Sequence, residues 1–218
     1  MSDKIKSAYR QSKNIYDDVL TQNKWWSRLY IRLFWGVNDI EITDALFAMF
    51  PDDFSGELLD VPCGTLNLTA FQYTQMKNAT ITCLDYSQDM LAGAMRRIAQ
   101  QRSSNISALQ GDVGNLPFED DAFDLVLSMN GFHAFPRKDL AYAETARVLK
   151  PGGQFLGCFY VKGEYKPSDF IVKTVLVKKG WFTPPFQTKE DVLLSLKRYY
   201  SSVELHSDKA MVWFRCVK

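Results

Sequence analysis

Three aspartates each close a short apolar run: Asp60 in ELLDV, Asp85 in TITCLDY and Asp112 in NISALQGDV. A carboxylate at such a place accepts hydroxyl and amine donors. Clustered acids are costly unless a ligand or protein donors satisfy them. Asp60 opens the loop Asp60-Val61-Pro62-Cys63-Gly64-Thr65, a small-residue turn of the kind that cradles nucleotides, here with one glycine. Asp85 lies about 20 residues past that loop, where a carboxylate can hold both hydroxyls of a ribose. Asp112, after Gly111, is placed either to accept an exocyclic amine of an adenine or to serve as an ordinary strand-end turn residue. A fourth run, AFDLVLSMN, ends at Met129 and Asn130 and is followed by His133, a candidate general base if it reaches an acceptor proton.

These residues share one site if the runs are strands of one parallel sheet, because ligands bind at the carboxyl ends of such strands. The pattern supports that. Apolar runs alternate with amphipathic stretches: TAFQYTQMK, QDMLAGAMRRIAQQ with Ser87 as its cap, and RKDLAYAETARVLK. PGG is expected to end the last of these before a fifth strand, QFLGCFYV. A helical stretch (about 168–180), a Pro-Pro loop and the helix TKEDVLLSLKRYY follow. The tail SSVELHSDKAMVWFRCVK reads as a hairpin turning at Ser207–Asp208. The expected fold is α/β: a Rossmann-like, doubly wound, mostly parallel seven-stranded sheet ending in an antiparallel hairpin. Residues 1–50 lack strand alternation and form a helical cap; residues 51–218 form the ligand-binding domain. Trp25, Trp26, Tyr30, Phe34 and Trp35 in the cap are read as a packed face or as a lid over the site, with Tyr9 and Tyr16 as polar contacts.

With 26 basic and 25 acidic residues among 218, the chain has no general electrostatic drive toward nucleic acid, so none is expected as a partner. Cys63, Cys83, Cys158 and Cys216 form no CxxC pair, which points to buried reduced thiols and to no metal site. Three sequons, at Asn67, Asn78 and Asn105, are read as chance matches. The opening MSDKIKSAYRQSKN has no apolar segment of a signal peptide, and no run is long enough to span a bilayer. A cytoplasmic location and no membrane partner are the expectation. Oligomeric state is not legible.

"LLDVPCGT", "ITCLDYSQDMLAGAMRR", "LQGDVGNLPFEDDAFDLVLSMNGFHAF" and "ARVLKPGGQFL" together resemble the class I S-adenosylmethionine-dependent methyltransferases. The flavour is the small-molecule branch that includes ubiquinone- and menaquinone-pathway enzymes. The resemblance covers 57–161. It implies S-adenosyl-L-methionine as cofactor and a small-molecule methyl acceptor as partner. By this resemblance Asp60, Pro62, Cys63, Gly64 and Thr65 surround the methionine part. Asp85 holds the ribose, and Tyr86 and Met90 pack on the adenine. Gly111, Asp112 and Val113 receive the adenine edge, Met129 and Asn130 line the methionine end, and Phe132 and His133 face the acceptor.

One departure stands out. The family's loop carries three glycines at alternate positions, and here these are Pro62, Gly64 and Leu66. Proline removes a donor. If Leu66 must take a positive φ, the cost is about 1–2 kcal/mol. A non-catalytic module with a degraded cofactor loop is therefore the alternative reading. A nicotinamide-dependent oxidoreductase is disfavoured, because G-x-G-x-x-G is absent from the first loop.

Overall fold

The computed structural model describes residues 39–218. The aromatic stretch of the cap and its two tyrosines lie outside the described residues. Helix α1 (Asp39–Phe47) is followed by β1 (Gly56–Asp60), α2 (Ala70–Gln75), β2 (Ala79–Asp85), α3 (Gln88–Gln101), β3 (Ile106–Gln110) and β4 (Phe123–Met129). Then come α4 (Lys138–Val148), β5 (Leu149–Tyr160), α5 (Lys166–Ile171) with a π-helical turn at Val172–Leu176, α6 (Lys189–Lys197), β6 (Ser202–Asp208) and β7 (Met211–Val217).

The seven strands form one sheet in the order β3-β2-β1-β4-β5-β7-β6. β3, β2, β1, β4 and β5 run parallel, and β7 is antiparallel to both β5 and β6. Chain direction across the sheet reverses between β1 and β4, so a crevice opens at their carboxyl ends. This is the expected architecture.

The period-2 alternation of the strands builds two cores. Leu58, Ile81, Leu125, Leu127 and Leu156 face one side, with Ile42 and Leu46 of α1, Leu91 and Ala94 of α3, and Val172 and Leu176. Leu59, Leu84, Val126, Phe155 and Phe159 face the other, with Ala141, Tyr142 and Ala146 of α4 and Val192 and Leu196 of α6. Helices thus cover both faces, as continuous apolar strands require.

Local signals set several element ends. Ser87 caps α3, its Oγ accepting from the Met90 N–H at 3.4 Å. Thr188 and Asp191 form a reciprocal capping box at α6, with bonds of 2.9 and 3.1 Å. Two boundaries differ from expectation. The terminal turn falls at Lys209–Ala210, with Lys209 at φ 45°, because β6 pairs with β7 as far as Asp208↔Met211. Strand β5 starts at Leu149, and Pro151, Gly152 and Gly153 lie inside it. The register with β4 shifts between Phe123 and Leu125, and this irregularity absorbs them.

Candidate functional site

A cleft with about 1000 Å³ of empty space, part of it open to solvent, lies at the carboxyl ends of β1, β2 and β4. Asp60, Pro62, Cys63, Gly64, Thr65, Asp85, Tyr86, Met90, Gly111, Val113, Met129 and Asn130 all line it. Four segments far apart in sequence converge there because the sheet register puts the strand ends level. Asp60 pairs across with Cys83 and Leu127, and Asp85 with Gln110.

The loop after β1 is held by long-range bonds. The Val61 N–H donates to the Leu127 carbonyl at 2.9 Å and the Cys63 N–H to Leu84 at 3.0 Å. Pro62 between them is not asked for a donor. Its ring instead packs on Gly131, where a Cβ would come within 2.4 Å of Pro62 Cδ. Gly64 has φ 55°, and a Cβ added to it would meet nothing within 4 Å, so its backbone faces open space. Leu66 also has positive φ, 59°. Its side chain is 1% exposed, belongs to the core with Ile42 and Leu46, and is not among the residues lining the cleft. Helix α3 grips the same loop. Gly93 lies against Thr65, and Arg97 donates to the Thr65 carbonyl at 2.8 Å and to Asn67 Oδ1 at 3.0 Å.

Both carboxylates in the cleft are almost fully buried. Asp85 Oδ2 accepts from the Gly64 N–H at 2.9 Å and Oδ1 from the Ser87 N–H at 2.8 Å. Burial raises its pKa to about 6, against the pull of those backbone donors. Asp60 Oδ2 accepts from the Tyr73 hydroxyl at 2.8 Å and the Thr69 hydroxyl at 3.5 Å. Burial raises Asp60 to about 7; the Tyr73 bond opposes this and the neighbouring Asp85 charge adds to it. Each carboxylate oxygen has more than one lone pair, so both groups retain accepting capacity toward a ligand. A cation beside Asp60, or hydroxyls at Asp85, would favour the ionised forms.

Two expected site residues and one neighbour are not among the residues that line the cleft. Asp112 is not among the lining residues; its Oδ1 accepts from the Gly114 N–H at 2.9 Å, which closes the turn after β3. Phe132 is fully buried among Tyr142, Phe159 and Phe135, at ring separations of 4.4, 5.0 and 5.2 Å. His133 stacks on Phe182 at 3.9 Å and accepts the Tyr160 N–H on Nδ1 at 3.4 Å. Burial, with the Lys138 charge, lowers its pKa to about 3, so its imidazole is neutral at pH 7. The reason is local. After Asn130 (φ 54°) the chain makes tight turns, from Ala134 N–H to Gly131 and from Phe135 N–H to Phe132. These turns direct Ala134 and Phe135 to the cleft in place of Phe132 and His133.

Several lining residues were not anticipated, among them Asn67, Leu68, Thr69, Ser87, Ala134 and Phe135. Asn67, Leu68 and Thr69 could have been found by extending the loop to the start of α2. Nothing in the sequence points to Phe135 over Phe132. All four cysteines are free and buried, as the sequence suggests. No helix among the described residues is long and apolar enough to cross a membrane.

Residues 58–153 match the family model described as a methyltransferase domain. Over 99 residues the chain is 37% identical to a fatty-acid O-methyltransferase of Mycolicibacterium smegmatis, covering 45% of this chain and 35% of that protein. It is 38% identical over 97 residues to a demethylmenaquinone methyltransferase of Bacillus velezensis, covering 44% and 42%. The matched part thus spans well under half the length of either relative. A solved S-adenosylmethionine-dependent methyltransferase of Thermotoga maritima superposes with a TM-score of 0.71 at 17% identity, over 98% of this chain and 99% of that one. That likeness concerns the fold. Sheet order, the strand-end carboxylates and the family match agree: residues 58–153 are similar to a methyltransferase domain, set in a sheet of the kind seen in the solved S-adenosylmethionine-dependent methyltransferase.

Proposed function

We propose that the protein transfers a methyl group from S-adenosylmethionine to a small, lipophilic acceptor. The observation that carries this is the pair of buried carboxylates, Asp60 and Asp85, facing one cleft on either side of the loop that runs through Gly64. The cleft has the features such a cofactor needs. Exposed loop backbone at Gly64 allows close approach, and two acceptors suit a ligand bearing hydroxyls and positive charge. The lipophilic acceptor is supported by Leu68, Met129, Ala134 and Phe135 in the lining, and by relatives whose names refer to a fatty acid and a menaquinone.

In this reading Asp85 accepts the ribose hydroxyls while Gly64 and Ser87 hold its orientation. Asp60, positioned by Tyr73 and Thr69, faces the ammonium of the methionine part. Tyr86, Met90 and Val113 wall the adenine. When bound, the cofactor supplies a methyl carbon already activated by positive sulfur. The protein's task is then alignment and exclusion of water, for which effective molarities are large. An acceptor that is already anionic or carries a free lone pair needs no general base from the protein, and a neutral, buried His133 that does not line the cleft fits that case.

A second reading, a domain that binds the cofactor poorly and serves as a module, draws on the left-handed Leu66. Calorimetric titration with S-adenosylmethionine and S-adenosylhomocysteine separates the two. Micromolar binding that Asp85→Ala weakens at least about tenfold supports the enzyme. No binding at millimolar ligand by folded protein overturns it.

A further inference from the structure

Asn67 lines the cleft one residue beyond Leu66. Its Oδ1 accepts from Arg97 Nη2 at 3.0 Å, while the same guanidinium donates through Nη1 to the Thr65 carbonyl at 2.8 Å. A guanidinium only donates, so the amide oxygen has to face Arg97. The amide nitrogen is thereby turned the other way. That Nδ2 is buried and has no hydrogen-bond acceptor among the described residues. Leaving a buried donor unpaired is unfavourable, and such a group calls for an explanation such as a missing ligand.

Its surroundings indicate which ligand group. Asp60 lies at the other end of the same loop, and Thr69, two residues past Asn67, gives its hydroxyl to Asp60. Asp60 and Asn67 thus both line the cleft, one with an acceptor carboxylate and the other with an unpaired donor amide just beneath its surface, backed by the Arg97 charge. An α-amino acid carries the complementary pair, ammonium and carboxylate, on one carbon. Building on the cofactor reading above, we infer that Asn67 Nδ2 donates to the carboxylate of the methionine part, with Arg97 as the positioning residue that holds the amide in that orientation.

The Leu66 conformation then has a role. A left-handed residue immediately before Asn67 turns the chain so that residue 66 enters the core and residue 67 reaches the cleft. A glycine there would permit the same turn without anchoring it. The buried leucine adds the anchor.

The test is calorimetry with two ligands, S-adenosylhomocysteine and its decarboxylated analogue, which lacks only the carboxylate. Asn67→Asp keeps the shape and the Arg97 contact but removes the donor and opposes the ligand's charge. Asn67→Ala removes the donor without adding charge, and thermal melts check that both variants fold. Expected is a loss of at least about tenfold for S-adenosylhomocysteine in both variants, with the decarboxylated analogue bound within about threefold of wild type. Equal losses for both ligands would show that Asn67 acts only through loop shape, and no loss for either would leave it without a role; both results overturn the inference. Wild-type protein that binds neither ligand overturns the cofactor reading itself, which keeps the two failures apart.

Discussion

Leu66 is a residue whose side chain and backbone pull in opposite directions, and two substitutions separate them. The side chain is 1% exposed in the core beside Ile42 and Leu46, while φ is 59°. Truncating a buried leucine to alanine costs about 2–5 kcal/mol from lost burial and the residual cavity. Leu66→Ala keeps a Cβ at positive φ, so it suffers that loss and regains nothing. Leu66→Gly suffers the same cavity but relieves about 1–2 kcal/mol of left-handed strain. Against this, glycine adds unfolded-state entropy worth about 0.4–1 kcal/mol. Glycine should therefore be the more stable of the two by about 0.5–1 kcal/mol, the reverse of the usual order. Urea unfolding followed by circular dichroism, comparing midpoints at equal slope, reads the difference. In parallel, S-adenosylhomocysteine affinity in Leu66→Gly should stay within about threefold of wild type if the fold holds. An alanine variant more stable than the glycine variant would refute the backbone argument. A large affinity gain in Leu66→Gly would refute the placement of the side chain away from the cleft.

Four further outcomes follow from the site's geometry. Asp60 at about 7 must be ionised to face a cation, so S-adenosylmethionine affinity should rise by up to about tenfold from pH 6 to pH 8. Titrations across that range should lose the slope in Asp60→Asn, and a slope that persists there assigns it to another group. For the unliganded fold the sign is opposite. Asp60 and Asp85 have folded pKa values above their unfolded ones, so their stabilisation is full at acid pH and is lost as pH rises through about 6 and 7. His133, depressed to about 3, works against them below its unfolded value near 6.5. Wild-type melting temperature should therefore rise from pH 8 toward about 5, less steeply below about 6.5, where His133 offsets one of the two carboxylates, and His133→Phe should rise more steeply there. The same His133→Phe variant should leave the pH dependence of methyl transfer unchanged, and a lost ionisation in that profile would restore His133 as a base. Gly131→Ala places a Cβ within 2.4 Å of Pro62 Cδ and 2.8 Å of Phe135 Cζ, so it should cost about 1–3 kcal/mol in urea unfolding and weaken ligand binding.

Much of this protein is legible from residue order because its signals are local and repeated. Period-2 alternation, caps such as Ser87 and the alternation of strand with helix follow from backbone geometry that neighbours in sequence decide. Given a parallel sheet, Asp60 and Asp85 must sit at its carboxyl edge, and the structure puts both in the cleft. What escapes sequence is any choice made between residues far apart in the chain. Phe132 or Phe135 could face the cleft, and the aromatic cluster around Tyr142 and Phe159 takes Phe132. His133 is an ordinary candidate base until the packing of Phe182 and the Tyr160 N–H removes it from solvent and keeps it neutral. Asn67 reads as no more than a chance sequon in a loop until Arg97, on α3, fixes which end of its amide is left free. Side-chain direction and protonation depend on burial and on partners that only the folded chain brings within a few ångströms, so tertiary structure alone decided them.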